Sequence, residues 1–176
     1  MKEDYFIISG YVDEHMVENI LYIVKEKISD DCKKLHIAVQ SSGGSVPIAL
    51  AIANLLMSLP CKVFTYNIGN VESAALIIFS AGENRVCSPG ARFYIHPIGK
   101  EIRGIQTEET LKKYLNEIKQ DTERVAQYLA NQTRKTNINK WKKIYAGSSI
   151  LLPEKAVQMG LVNCIAEFPF KIKGSS

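Results

Sequence analysis

Ser73 and His96 are the side chains of this sequence best placed for covalent chemistry. Ser73 lies in Gly69-Asn70-Val71-Glu72-Ser73-Ala74-Ala75-Leu76, a pattern that predicts a turn opening into a small-residue apolar helix, with the serine in its first turn. Backbone N–H groups at a helix start lack intrahelical partners and aim at nearby negative charge. A hydroxyl at that position stands beside the donors that acyl transfer needs for its oxyanion. Upstream, Ser41-Ser42-Gly43-Gly44-Ser45-Val46 offers bare backbone that can approach a substrate closely. Downstream, Tyr94-Ile95-His96-Pro97 sets an imidazole at the end of a strand-like run, where it can serve as general base. His15 and His36 have no comparable context. Cys32, Cys61, Cys87 and Cys164 form no metal-ligand spacing and read as small buried hydrophobes. The histidines lack the i, i+4 pairing of a zinc helix, so neither a metal nor a cofactor is expected.

These residues need a scaffold, and the apolar periodicity supplies an alternating one. Tyr5–Ser9 reads as a strand and Glu14–Ile28 as an amphipathic helix. Leu35–Val39 is a short apolar run, hence a buried strand, closed by the Ser-Ser-Gly-Gly turn. Ser45–Leu59 reads as an almost wholly apolar helix that tolerates Pro47 in its first turn and stops at Pro60. Lys62–Tyr66 follows as a strand, Ser73–Ala81 as a helix capped by Gly82, and Arg85–Cys87 and Phe93–His96 as strands around the Pro89-Gly90 turn. A β-α repeat of this kind predicts a largely parallel sheet with helices on its faces. Thr107–Thr133 is then one long helical stretch with Thr107 as N-cap. It far exceeds the usual mean of about 11–12 residues, and such a helix overshoots its own domain.

Composition narrows the class. The 176 residues are 46% hydrophobic and 23% charged, which excludes disorder and suits one globular domain. The net charge of +4 is scattered, apart from Lys112-Lys113 and the Lys140–Lys143 segment. No aromatic interleaving accompanies those clusters, so solvated helix faces explain them and nucleic acid is not an expected partner. No apolar run reaches the roughly 18 residues of a membrane span, and no signal peptide is evident, so the cytoplasm is the expected location.

The Gly43-Gly44-Ser45-Val46 loop, the Gly69 to Ser73 segment and the strand ending at His96 together resemble the proteolytic subunit of the Clp protease, a serine peptidase family of crotonase-like fold. Pro153-Glu154-Lys155-Ala156-Val157-Gln158-Met159-Gly160-Leu161-Val162 is similar to that family's penultimate segment, so the resemblance covers roughly residues 5–166. It implies a single crotonase-like α/β domain over residues 1–176, with a protruding handle helix and a handle region at about 98–133. Ile98–Ile105 falls where the family has a handle strand. By the same resemblance Ser73 is the nucleophile, His96 the base, and the backbone N–H groups of Gly44 and Ala74 the oxyanion hole, with Gly43 a conformational residue. This is not the Gly-x-Ser-x-Gly elbow of α/β-hydrolases, given Glu72 before the serine and Ala75 after it. Substrates would be unfolded proteins or short peptides, cleaved inside a ring built by self-association.

Two departures from the family pattern stand out. Ser148 occupies the place of the triad aspartate, and the third member stays open between Ser148 and a residue reaching through space, such as Glu154 or Asn163. Few residues precede the first strand, where the family has a segment engaging an ATPase ring, so an AAA+ unfoldase partner is not expected. Three readings follow: a serine endopeptidase acting through an acyl-enzyme, a catalytically impaired Clp-like structural subunit, or a crotonase-fold enzyme acting on acyl-CoA thioesters. The Ser73/His96 pair argues against the last.

Overall fold

The computed structural model describes residues 2–26, 28 and 31–169. Three long parallel strands form its centre: β1 (Glu3–Val12), β2 (Lys34–Gly44) and β3 (Lys62–Glu72). Their apolar runs explain the burial, with Leu35, Ile37, Ala38 and Val39 of β2 fully enclosed between sheet faces and helices. Helix α1 (Glu14–Glu26) crosses from β1, with Ile28 beyond its end in a bend. Helix α2 (Val46–Met57) has Ser45 as N-cap and Pro47 in its first turn, where the missing N–H costs nothing. It buries Ala49, Ile52, Ala53 and Leu56 against the core. Helix α3 (Ala75–Ser80) is buried on every side.

The sheet runs β1-β2-β3-β4-β7, with β4 at Asn84–Cys87 and β7 at Cys164–Ile165. It also forks. The first part of β3, Phe64 to Asn67, pairs with β4, while its last residues, Asn70 to Glu72, pair with β5 (Arg92–Ile95). Strand β5 then pairs antiparallel with β6 (Ser149–Leu151). The long helix α4 (Glu108–Thr133) begins at Thr107, whose Oγ1 accepts the Thr110 N–H at 3.2 Å. It is followed by α5 (Ile138–Tyr145) and α6 (Pro153–Gln158). Trp141 of α5 is fully buried although it stands among lysines, so that basic stretch is the outer face of an amphipathic helix.

Arg85 locks the lower half of the molecule. Its guanidinium is buried and donates to four carbonyls, those of Leu161 (2.8 Å), Gly82 (2.8 Å), Gln132 (3.2 Å) and Gly160 (3.1 Å). Gln132 is in the last turn of α4 and Gly160 just follows α6, so one cation meets carbonyl oxygens at the negative ends of two helices.

The structure corrects several expectations. Strands β2 and β3 continue through the segments expected as turns: Tyr11 and Val12 pair with Gly43 and Gly44, and Ser41 pairs with Val71. Glycine permits this, because a Cβ on Gly44 would lie 2.4 Å from the Val12 carbonyl oxygen. Helix α3 is correspondingly shorter than Ser73–Ala81. Gly82 is not a left-handed cap; Ala81 ends the helix in right-handed conformation. Gly82 instead lets β3 approach, since a Cβ there would meet Thr65 Oγ1 at 2.4 Å. Residues 97–107 form no strand, so the expected handle strand at Ile98–Ile105 is absent. The glycines Gly99 and Gly104 weaken extended pairing there. Cys32 and Cys87 are buried as expected, but Cys61 is only partly so and Cys164, on the terminal strand β7, is exposed.

Candidate active site

Ser73 is not in the first turn of a helix. It stands at the corner between β3 and α3 with φ 52, one of two non-glycine residues in the left-handed region among those described. For a residue with a Cβ that conformation is strained, and it persists only where the surroundings hold it. Two contacts do so here. The Ser73 N–H donates to the Tyr94 carbonyl of β5 at 2.8 Å. On the other side Gly43, with φ 87, presses its backbone against the corner. A Cβ on Gly43 would lie 2.7 Å from Ser73 Cβ and 2.9 Å from the Ala74 nitrogen, so only glycine admits this approach. The glycine loop is itself pinned: Ser41 Oγ donates to the Gly10 carbonyl at 2.6 Å and accepts the Gly43 N–H at 3.1 Å, and the Ser45 N–H donates to the Val12 carbonyl at 2.9 Å.

His96 follows β5 directly, two residues past the carbonyl that anchors Ser73. Its Nδ1 lies 2.9 Å from the Pro97 carbonyl oxygen. A carbonyl can only accept, so Nδ1 carries the proton in the neutral ring and Nε2 keeps the free lone pair. That is the tautomer a serine's general base requires. Ser73, His96 and Gly44 line one cleft of about 790 Å³, walled by the start of α2 (Ser45, Val46) and by Ile98. Among the described residues no hydrogen bond joins Ser73 to His96 in this conformation.

The ladder between β5 and β6 bears on Ser148. Phe93 pairs with Leu151, Tyr94 with Ile150 and Ile95 with Ser149. The ladder ends there; continued by one step, its register would set Ser148 across from His96. Ser148 is exposed, and among the described residues no hydrogen bond links it to the imidazole. The other two candidates are elsewhere: Asn163 Oδ1 accepts the Arg85 N–H of β4 at 2.7 Å, and Glu154 is exposed on α6. Neither lines the cleft.

The cleft also holds charges that the sequence does not single out. Lys100 and Asp121 line it together with Asp13 and Glu14. The Lys100 ammonium is bound to the Glu117 carboxylate and sits 5.5 Å from the Tyr114 ring centre. Their hydrogen bond raises the Lys100 pKa above its ordinary value and lowers that of Glu117. Asp121 reaches the cleft from the middle of α4, a tertiary placement with no local sequence signal.

Comparison with known proteins bears on the family and the fold. The Clp protease family profile matches residues 1–168. A curated relative from Pseudomonas aeruginosa, an ATP-dependent Clp protease proteolytic subunit 2, is 33% identical over 166 residues, covering 90% of this chain and 78% of the relative. A protein of the same description from Borreliella burgdorferi is 27% identical, covering 98% of this chain and 87% of its own length. Among solved structures, a point mutant of ClpP1 from Listeria monocytogenes superposes with a TM-score of 0.78 at 24% identity, over 93% of this chain and 91% of that one, which establishes the fold. The class is therefore an α/β fold of the ClpP type. The chain belongs to the Clp protease family.

Proposed function

We propose that this protein is a serine peptidase that cleaves unfolded proteins or short peptides inside a ring of its own copies. The observation that carries the reading is the strained Ser73 corner, with φ 52, held between Gly43 and the Tyr94 carbonyl in the cleft that also contains His96. Strain of about 1–3 kcal/mol at one residue is tolerated where the half-buried hydroxyl lining the cleft has a use.

Ser73 Oγ attacks the peptide carbonyl carbon while His96 Nε2 takes its proton. The backbone N–H groups of Gly44 and Ala74 receive the oxyanion, His96 returns the proton to the leaving amine, and water hydrolyses the acyl-enzyme. The Pro97 carbonyl selects the His96 tautomer, one of the two tasks of a triad aspartate. It brings no negative charge to stabilise the imidazolium, which is the other. The enzyme is accordingly a slow one.

A fluorophosphonate probe tests the assignment. It should label the assembled protein at Ser73, and both Ser73→Ala and His96→Ala should abolish the adduct. Equal labelling of Ser73→Ala would sink the nucleophile. Absence of labelling in assembled wild type would favour the second reading, an inactive structural subunit, which the lack of a carboxylate at Ser148 supports.

A further inference from the structure

The cleft beside Ser73 combines an apolar wall with carboxylates, and the lysine that lines it, Lys100, is held by Glu117 and shared electrostatically with Asp121. Val46, Pro47 and Ile48 at the start of α2, with Pro97 and Ile98 after His96, supply the wall. The ionisable groups facing the cleft besides His96 are Tyr11, Asp13, Glu14, Lys100 and Asp121. Lys100 is already bound to Glu117, and Asp13 Oδ1 accepts the Met16 N–H at 3.1 Å as an N-cap. Glu14 is exposed at the cleft mouth. Asp121 is half-buried, its side chain 17% exposed; its hydrogen-bonded partner is Arg124 at 3.1 Å, one turn along the same helix and 55% exposed, and the Lys100 ammonium lies within its electrostatic reach. A pair of that kind is worth about 0–1 kcal/mol, so a second cation displaces Arg124 at little cost. Within a cleft of lowered dielectric the same carboxylate attracts an incoming charge more strongly than at an open surface.

An aliphatic stem that ends in a cation fits both features, because lysine and arginine lay their methylenes on apolar surface and extend the charged head. We propose that the site selects peptides carrying lysine or arginine beside the scissile bond, with Asp121 receiving the cation. This rests on the hydrolase reading of Ser73 and names its substrate class.

The test uses internally quenched peptides that differ only in arginine, citrulline or glutamate at the residues flanking the scissile bond. Citrulline keeps the shape of arginine and removes the charge. Wild type should cleave the arginine peptide with kcat/KM at least about fivefold above the citrulline one, roughly what one partly exposed ion pair provides. The ratio should fall as salt is raised, and Asp121→Asn should bring it to one. Asp121→Lys should favour the glutamate peptide. Cleavage without charge preference, with Ser73 still labelled by fluorophosphonate, would overturn the specificity and leave the hydrolase reading standing. If wild type neither labels nor cleaves, the hydrolase reading falls. Anisotropy titrations of the same peptides, carrying fluorescein, then decide the rest: tighter binding of arginine than citrulline, lost in Asp121→Asn, supports the cleft's preference, and equal binding refutes it.

Discussion

Ser73 and His96 are held by backbone, and that shapes what substitution will do to them. The serine corner is clamped between a carbonyl of β5 and the bare backbone of Gly43. Gly43→Ala would put a methyl group 2.7 Å from Ser73 Cβ at a backbone φ of 87, so the corner must open. Fluorophosphonate labelling should then slow by about 10² or more, the scale for losing one oxyanion donor. Ser148 is the opposite case. It is exposed, makes no hydrogen bond to His96 and lies one register step past Ser149. Ser148→Asp should set a carboxylate across from the imidazole and raise turnover on a short fluorogenic peptide, by anything up to the roughly 10⁴ that a third member is worth in a complete triad. A fall in turnover would mean that the Pro97 carbonyl already holds His96 in its best orientation.

At the level of elements, the sequence carries the parts whose signals are local. The long helix with its Thr107 cap, the proline-opened α2 and the apolar β2 run all appear where periodicity and capping chemistry set them. Strand lengths are harder to read because glycine is a turn signal in sequence and a pairing device in the fold; Gly43 and Gly44 extend β2 along β1 rather than ending it. The site divides the same way. The flanking pattern singles out Ser73 and His96, and the structure brings both to one cleft, whereas Asp121 and the Pro97 carbonyl depend on where α4 and residue 97 come to rest. Arg85 is equally invisible, being one arginine in a short strand. Arg85→Met should leave the carbonyls of Gly82, Gln132, Gly160 and Leu161 without donors and lower the unfolding free energy by about 3 kcal/mol or more, measured by urea titration. A loss below about 1 kcal/mol would show that water replaces the guanidinium there.

For the whole molecule, the outstanding fact is an unused apolar stripe. Helix α4 buries Val125, Ala126, Leu129 and Thr133 near its C-terminal end, yet Leu111 and Leu115 in its first half are 48% and 51% exposed. Together with Tyr114 and Ile118 they follow i, i+3, i+4, i+7 spacing, the pattern of a face that packs on something. Light scattering should give a mass several times that of one chain, and Leu111→Asp with Leu115→Asp should reduce it while far-ultraviolet circular dichroism stays unchanged. A monomeric wild type would refute the ring. The fork in β3 divides the sheet into two branches. Its first part ties the fold together through β4, β7 and Arg85, and its last residues hold β5, β6 and the proposed nucleophile and base. The proposed site and the Arg85 lock therefore occupy separate branches of one sheet. A charge at position 148 can be gained or lost without unfolding the domain, because the exposed position lies on the branch that the β4–β7 side does not depend on.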